Sequence, residues 1–486
     1  MPQMWEIVGG ADKGGILVRE GKETSSAQLK DRLATGALVE EVQLVGERLQ
    51  FKRITGSGPE RGWISIRLPG KELAVRFDPD KADDADKGGA EGAGGEADLA
   101  DASDVAAFIE ARCAKELAKP PVQWWPVGMD VLEKAGQKGK GIFYGIEFPW
   151  DAETLKTMGP AWCTKAFHTA GTISKTTRVS KVKDIKTYIG GGACAKLTFD
   201  VEYEGGTTTG LHTKLFAKIP WPLEGKTRSD RMASSVMQQG MEVGEINASR
   251  LLESRLPFRI PRYYFGDVCN ETTNFIIITE RIPFGQQEGD NKIDPAYEKG
   301  RDWELQGTSE EYYYLLIRAG AQMAGMYKAE KLAPFDQMHK FFDTPENRGP
   351  ESWGMGPHNT GLGDSEFRSK IKMGAEFVGE TAKAIFPEHC TTPEFIKTYK
   401  TVLATINAYQ AELVYWCSRH KDYIAWSHGN LNVDNVFFWR DAEKKLQVGV
   451  LDWGGARCDS MGWKLWWWLY CQDFEVLREN LPSYLE

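Results

Sequence analysis

The chain has 486 residues, 41% of them hydrophobic and 27% charged, with a formal net charge of -9. That composition suits a globular protein with a sizeable core, and the length fits about two to four domains. The acidic balance argues against a general nucleic-acid binder, and no run approaches the roughly 18 apolar residues of a membrane span.

Eight cysteines are scattered, with no Cys-x-x-Cys pair and no Cys/His cluster. This is the pattern of thiols in a reducing compartment. The first six residues lack the basic region and apolar stretch of a secretory signal, so the cytosol is the expected location.

Residues 1–77 read as a small all-β domain. Short runs such as Ile16-Leu17-Val18, Ala37-Leu38-Val39, Leu49-Gln50-Phe51 and Trp63-Ile64-Ser65-Ile66 recur between Gly, Asp and Ser punctuation. Gly62-Trp63-Ile64-Ser65 after a Gly-Ser-Gly-Pro turn, with Leu17-Val18-Arg19 nearer the start, resembles the bacterial Src-homology-3-like barrel. The resemblance implies a spacer or a contact for a protein partner. Residues 78–103, rich in Asp, Glu, Gly and Ala, bury too little to offset their ordering entropy and read as a linker. Residues 104–150 form a connector. It opens with an amphipathic helix over 104–118, with Val105, Phe108, Ile109 and Leu117 on one face, stopped by Pro120-Pro121. Its remainder, around Trp124-Trp125-Pro126, is aromatic and irregular.

From residue 151 to 282 a helix over 152–166 is followed by β-rich sequence. Gly190, Gly191 and Gly192 lie between two strands, where glycine lets backbone amides approach phosphates closely. Leu197, Phe199, Val201 and Tyr203 alternate with polar residues. The strand over 213–220 carries Lys214 and Lys218, the helix over 243–256 carries Glu245 with Glu242 just before it, and an apolar strand from Phe275 ends at Glu280, Arg281 and Ile282.

Residues 283–486 read as helical, with apolar residues at three- and four-residue steps over 309–331 and 392–419. Between these lies a Gly/Pro-rich stretch containing His358. The run Trp463 to Trp468 predicts a helix packed under the site. Inside this half, residues 426–455 break the pattern: two apolar runs flank a charged turn, which predicts a hairpin. A polar loop precedes it and Asp452 closes it. Such a layout suits metal-assisted phosphoryl transfer, with one loop residue orienting an acceptor hydroxyl and an amide and a carboxylate sharing a divalent ion.

His428-Gly429-Asn430, Asn435 five residues later, and Asp452-Trp453 resemble the catalytic and metal-binding segments of the aminoglycoside-phosphotransferase, choline-kinase and ecdysteroid-kinase-like superfamily. The family pattern is His-Gly-Asp-x-x-x-x-Asn, then Asp-Phe or Asp-Trp. The likeness spans about 151–486 and implies an α+β, two-lobed, protein-kinase-like fold: a β-rich small lobe over 151–282 and a helical large lobe over 283–486. It implies ATP and magnesium as cofactors, with Asn435 and Asp452 on the metal. Gly190, Gly191, Gly192, Lys218 (Lys214 the runner-up), Glu245, Glu280 and Ile282 fall to the nucleotide, and Asn430, Asp452 and His428 to catalysis. The family continues with further helices, so the large lobe is expected to be shortened or the chain to be a fragment.

One position departs from the family: Asn430 stands where the catalytic Asp belongs. A general base contributes typically about 10²–10⁴-fold, and an amide cannot take the proton. Two readings follow, a phosphotransferase acting on an unknown small-molecule hydroxyl, and a pseudokinase that binds magnesium nucleotide as a regulatory module. A structural adaptor that binds no nucleotide is the third.

Overall fold

The computed structural model describes residues 3–10, 13–54, 57–68, 71–76, 102–124, 133–189, 194–224, 228–233, 235, 239–284, 305, 309–342 and 364–486. Most of the acidic Gly/Ala stretch, the three glycines 190–192 and the tract around His358 lie outside the described residues. The chain divides into two units, Met1–Gly95 and Glu96–Glu486.

In the first unit β1 (Met4–Ile7), β2 (Leu38–Val45), β3 (Arg48–Arg53), β4 (Arg61–Ser65) and, after a short hairpin of β5 (Arg67–Leu68) and β6 (Lys71–Glu72), β7 (Ala74–Arg76) pair antiparallel in the order β4-β3-β2-β1-β7. Trp5, Ile7, Val18, Leu33, Val39, Leu49, Phe51 and Ile64 form its core. The run 16–18, expected as a strand, makes only isolated bridges. It keeps a strand's alternation, with Ile16 and Val18 buried and Leu17 turned out.

The second unit opens with α1 (Ala102–Leu117) and α2 (Ala152–Ala170). Asp151 and Thr154 close a capping box at the start of α2, and Gly171 ends it in the left-handed region at φ 66°. The tract before α2 is tied to the lobe by Asp267, whose buried carboxylate accepts the Phe143 and Tyr144 amides at 2.9 and 3.1 Å.

A five-stranded antiparallel sheet follows: β8 (Arg178–Tyr188), β9 (Ala195–Glu204), β10 (Lys214–Ile219), β11 (Tyr263–Val268) and β12 (Phe275–Glu280), in the order β11-β12-β10-β9-β8. Period-two alternation sorts its two faces. Leu197, Phe199, Leu215, Ala217, Ile276 and Ile278 pack with Leu155, Cys163 and Phe167 of α2. Val268, Phe275 and Ile277 meet Ile246 on the opposite face. Ile246 belongs to α4 (Gln239–Leu252), which comes after the short α3 (Arg228–Ala233). Buried on both faces, β12 opens with the unbroken apolar run Phe275–Ile278. Lys218 sits between the buried Ala217 and Ile219 and therefore projects to the α4 side.

The large lobe contains α5 (Glu310–Lys328), α6 (Phe335–Phe341), α7 (Asp364–Glu376), α8 (Pro393–Ala408), α9 (Gln410–Ser418), α10 (Met461–Leu469) and α11 (Phe474–Leu485). Two small antiparallel pairs carry the loop of interest: β13 (Ile424–Ser427) with β16 (Arg457–Ser460), and β14 (Val436–Arg440) with β15 (Leu446–Val450). Tyr312, Leu316, Ala319 and Met323 of α5 line the core. Gly320 is required there, because a Cβ would lie 2.3 Å from the Trp468 ring. Trp468 is thus buried against α5, while Trp463 and Trp466 of the same helix stand exposed. The stretch 392–419 is helical over Pro393–Ala408 and Gln410–Ser418, but Val402, Ile406, Leu413 and Trp416 of its apolar stripe are exposed.

Candidate active site

The β14–β15 hairpin forms because its turn satisfies itself. Asp441 Oδ1 accepts the Glu443 and Lys445 amides at 3.0 and 2.9 Å, and its Oδ2 accepts Gln447 Nε2 at 2.7 Å. Val436 thereby faces Val450, so the residues flanking the hairpin, Asn435 and Leu451, adjoin, and the Leu451 amide donates to Asn435 O at 2.8 Å. Asp452 follows in a left-handed conformation, φ 61° and ψ 63°, a strained choice for a residue with a Cβ. Trp453 stacks between Trp426 and Phe258, at 5.8 and 6.1 Å between centroids, with the His428 ring edge-on at 4.9 Å.

His428 locks the loop to this strand end. Its Nδ1 accepts the Asn430 amide at 3.0 Å, and its Nε2 donates to Leu451 O at 2.7 Å, so the ring is the neutral Nε2–H tautomer. Burial pushes its pKa down to about 4, against the Asp452 charge and the hydrogen bond to Leu451. Both ring nitrogens of His428 are thus engaged by backbone. Gly429 brings the loop onto the segment after Asp452: a Cβ there would lie 2.3 Å from Gly455 O.

Hydrogen bonds also fix which way Asn430 faces. Asn432 Oδ1 accepts the Asp434 amide at 3.2 Å, so its Nδ2 is the end that donates to Asn430 Oδ1 at 2.6 Å and to Tyr470 Oη at 3.1 Å. Asn430 Oδ1 is thereby an acceptor within the loop, and Nδ2 is its other end. Asn435 Nδ2 donates to Asn430 O at 2.8 Å, which makes Oδ1 the end of Asn435 that can serve a cation.

Three stretches far apart in sequence meet at Lys218. Its Nζ donates to Glu245 Oε2 at 2.7 Å and to Asp452 Oδ1 at 2.5 Å. Burial opposes the charge on Lys218, but the two carboxylates outweigh it and hold the ammonium above its ordinary range. Burial likewise raises the Glu245 carboxyl, and Lys218 works against that rise. Lys218 and Glu245 are the pair that meets, and Lys214 and Glu242 lie elsewhere. Lys214 is exposed at the strand's start. Glu242 is buried one turn from Glu245, its carboxyl pushed up to about 8 by burial, and its Oε2 has no hydrogen-bond partner among the described residues.

At the strand end 280–282 two backbone amides are already engaged. The Glu280 amide donates to Arg262 O at 2.8 Å and the Arg281 amide to Lys214 O at 3.1 Å. The buried Glu280 carboxylate accepts from the Arg259 guanidinium, and His212 Nε2 lies 3.4 Å from it. Ile282 joins an apolar cluster with Phe437, Phe284, Trp439 and Leu451. Phe437 and Leu451, two residues after Asn435 and one before Asp452, were not singled out in the sequence. Their positions relative to those two were the available signal.

For a metal, the relevant observation is the donor set. Asn435 and Asp452 supply oxygen, and no group of three or more His, Cys, Asp or Glu that could hold an ion occurs among the described residues. Two oxygen ligands completed by phosphates and water fit magnesium and not a dedicated protein cage.

A five-stranded sheet bearing a lysine, a helix returning a glutamate to it, and a loop and hairpin presenting Asn435 and Asp452 from a helical lobe together constitute the two-lobed, protein-kinase-like α+β fold. No protein-family model and no curated protein matches the sequence. Solved structures similar to it include the apoenzyme of macrolide 2'-phosphotransferase MphH from Brachybacterium faecium, 14% identical with a TM-score of 0.30 over 62% of this chain and 75% of that one. Others are the GDP and kanamycin complex of APH(2")-IIia, 13% identical with a TM-score of 0.34 over 68% and 86%, and the GDP complex of wild-type aminoglycoside 2'-phosphotransferase-IIIa, 13% identical with a TM-score of 0.30 over 63% and 81%.

Proposed function

We propose that residues 151–486 bind ATP with magnesium between the two lobes and pass its terminal phosphoryl group to a hydroxyl of a small molecule. The observation that carries this reading is Lys218 Nζ, held at 2.7 Å from Glu245 and 2.5 Å from Asp452. An ammonium so placed neutralises phosphate oxygens, and Glu245 keeps it extended toward them. Ile282, Phe437 and Leu451, which pack in one largely buried apolar cluster, are the apolar groups we assign to the base. Asn435 Oδ1 and Asp452 hold the magnesium, which neutralises charge on the phosphates when bound. Asn430 steadies the acceptor oxygen by donating from Nδ2.

The same Asn430 favours a second reading. Its amide takes no proton, so the chain acts slowly, or as a pseudokinase whose nucleotide state is read by a protein partner of residues 1–77. The scattered cysteines of the sequence, without paired spacing, are the ground on which we place the chain in a reducing compartment such as the cytosol. No helix among the described residues is long and apolar enough to cross a membrane.

Thermal melts and a turnover assay separate the readings. Magnesium ATP should raise the melting temperature, and Asp452→Ala should abolish the rise. A wild type that moves phosphate to an alcohol panel is an enzyme. A wild type that binds but stays silent until Asn430→Asp restores transfer is a pseudokinase. No nucleotide-dependent rise leaves the adaptor.

A further inference from the structure

Helix α1 lies outside the stretch that carries the site motifs, yet it is bound to the helix that carries Glu245. Arg112 of α1 donates to Glu253, just past the end of α4, at 2.5 Å, and Arg250 of α4 donates to Glu116 of α1 at 2.6 Å. The two pairs run antiparallel, four residues forward along α1 against three back along the other segment. All four side chains are between 3% and 7% exposed. Arg112 also donates to Arg250 O at 3.2 Å and lies over the Tyr263 ring, while Arg250 lies over Phe143. A third, outer pair joins Glu110 to Arg255 at 2.9 Å.

Buried ion pairs add little net stability over apolar contacts, but a shifted partner leaves a buried charge uncompensated. They therefore select register where an apolar seam would tolerate a slip. One helical turn is about 5.4 Å, far more than a hydrogen bond can absorb. Glu245 lies five residues before Arg250, so the register of α4 decides whether it reaches Lys218.

We propose that α1 is the register key of the nucleotide site: Arg112, Glu116, Arg250 and Glu253 are positioning residues that hold α4 where Glu245 meets Lys218. The proposal rests on the nucleotide reading above for its functional consequence, but not for its geometry.

Two full-chain double variants test it. Arg112→Met with Glu253→Met replaces the pair by apolar groups, and Arg112→Glu with Glu253→Arg reverses it. Two readouts are taken: magnesium-ATP affinity, and the rate at which an amine-reactive ester acylates Lys218 in the nucleotide-free protein, followed by mass spectrometry. The Met pair should melt cooperatively, bind nucleotide roughly tenfold more weakly and expose Lys218 to faster acylation, the size expected for coupled groups in one network. The reversed pair should restore both. The proposal is overturned if the Met pair matches wild type in both readouts, if it loses its cooperative melt, or if reversal restores neither. If wild type itself binds no nucleotide, the functional reading falls, and Lys218 acylation alone decides the register proposal.

Discussion

Glu245 and Lys218 meet at 2.7 Å because two different periodicities point them at each other. In β10 the in-out alternation places Lys218 opposite Leu215 and Ala217, on the face that α4 covers. In α4 Ile246 enters the sheet, and its neighbour Glu245 lies beside it at the sheet's lysine. Asp452, arriving from the other lobe, completes the contact at 2.5 Å.

Removing the ammonium should therefore cost more than removing one of its partners. Lys218→Met should lower phosphoryl transfer, in wild type or in an Asn430→Asp background, by about 10²–10³-fold, the usual loss for one charge-stabilising donor. Glu245→Gln should lose less, since Asp452 still faces the lysine. Equal losses in steady-state assays would mean that Glu245 acts by some route other than holding Lys218.

Trp453 fills a slot between Trp426 and Phe258 and is nearly fully buried. Trp453→Ala should destabilise the protein by about 3–5 kcal/mol, whereas Trp453→Phe, which keeps a ring in the stack and leaves a smaller cavity, should cost clearly less. Urea titrations measure both. Trp453→Phe should also keep its nucleotide-dependent rise in melting temperature. A loss of that rise in a stably folded Trp453→Phe protein would give the indole a direct part in binding.

Much of the site was legible because its signals are local. The glycine after His428, the five-residue step to Asn435 and the acid closing a hairpin all lie within one short stretch, and Lys218 ends an apolar strand. Other features depend on contacts that no window spans. Glu242 and Glu245 lie one turn apart on one helix, and only the packing of Ile246 decides which reaches the lysine. Arg112 and Glu253 are 141 residues apart and look like ordinary helix-surface charges in sequence. The aromatic tract before α2 acquires a role only through Asp267, which gathers its amides. Periodicity over 392–419 identified helices, but it could not say that their apolar stripe would stand exposed.

Gly429 makes the tightest backbone approach at the site, against Gly455. Gly429→Ala must separate the Asn430 loop from the segment after Asp452, because the obstructing atoms are backbone and cannot rotate away. The expected cost is about 1–3 kcal/mol in stability, with nucleotide affinity falling alongside. Calorimetric melts with and without magnesium ATP test this. An alanine variant as stable as wild type would show that the two backbones have room to part.

His428 gives the fold a dependence on acidity that can be signed in advance. In the unfolded chain its imidazole titrates near 6.5, whereas burial holds it near 4 in the folded protein. The unfolded state therefore binds the extra proton between those values, and stability falls as pH drops. The contribution is fully present above about 6.5 and is lost progressively toward 4, amounting to about 3 kcal/mol. Protonation would also place a hydrogen on Nδ1, where the Asn430 amide now donates, so the loop should loosen before the rest of the lobe. Urea midpoints from pH 8 to 4.5 should show the decline, and His428→Asn should flatten it while lowering stability at every pH. If the variant's slope matches wild type over that range, carboxylates elsewhere carry the acid sensitivity and His428 does not.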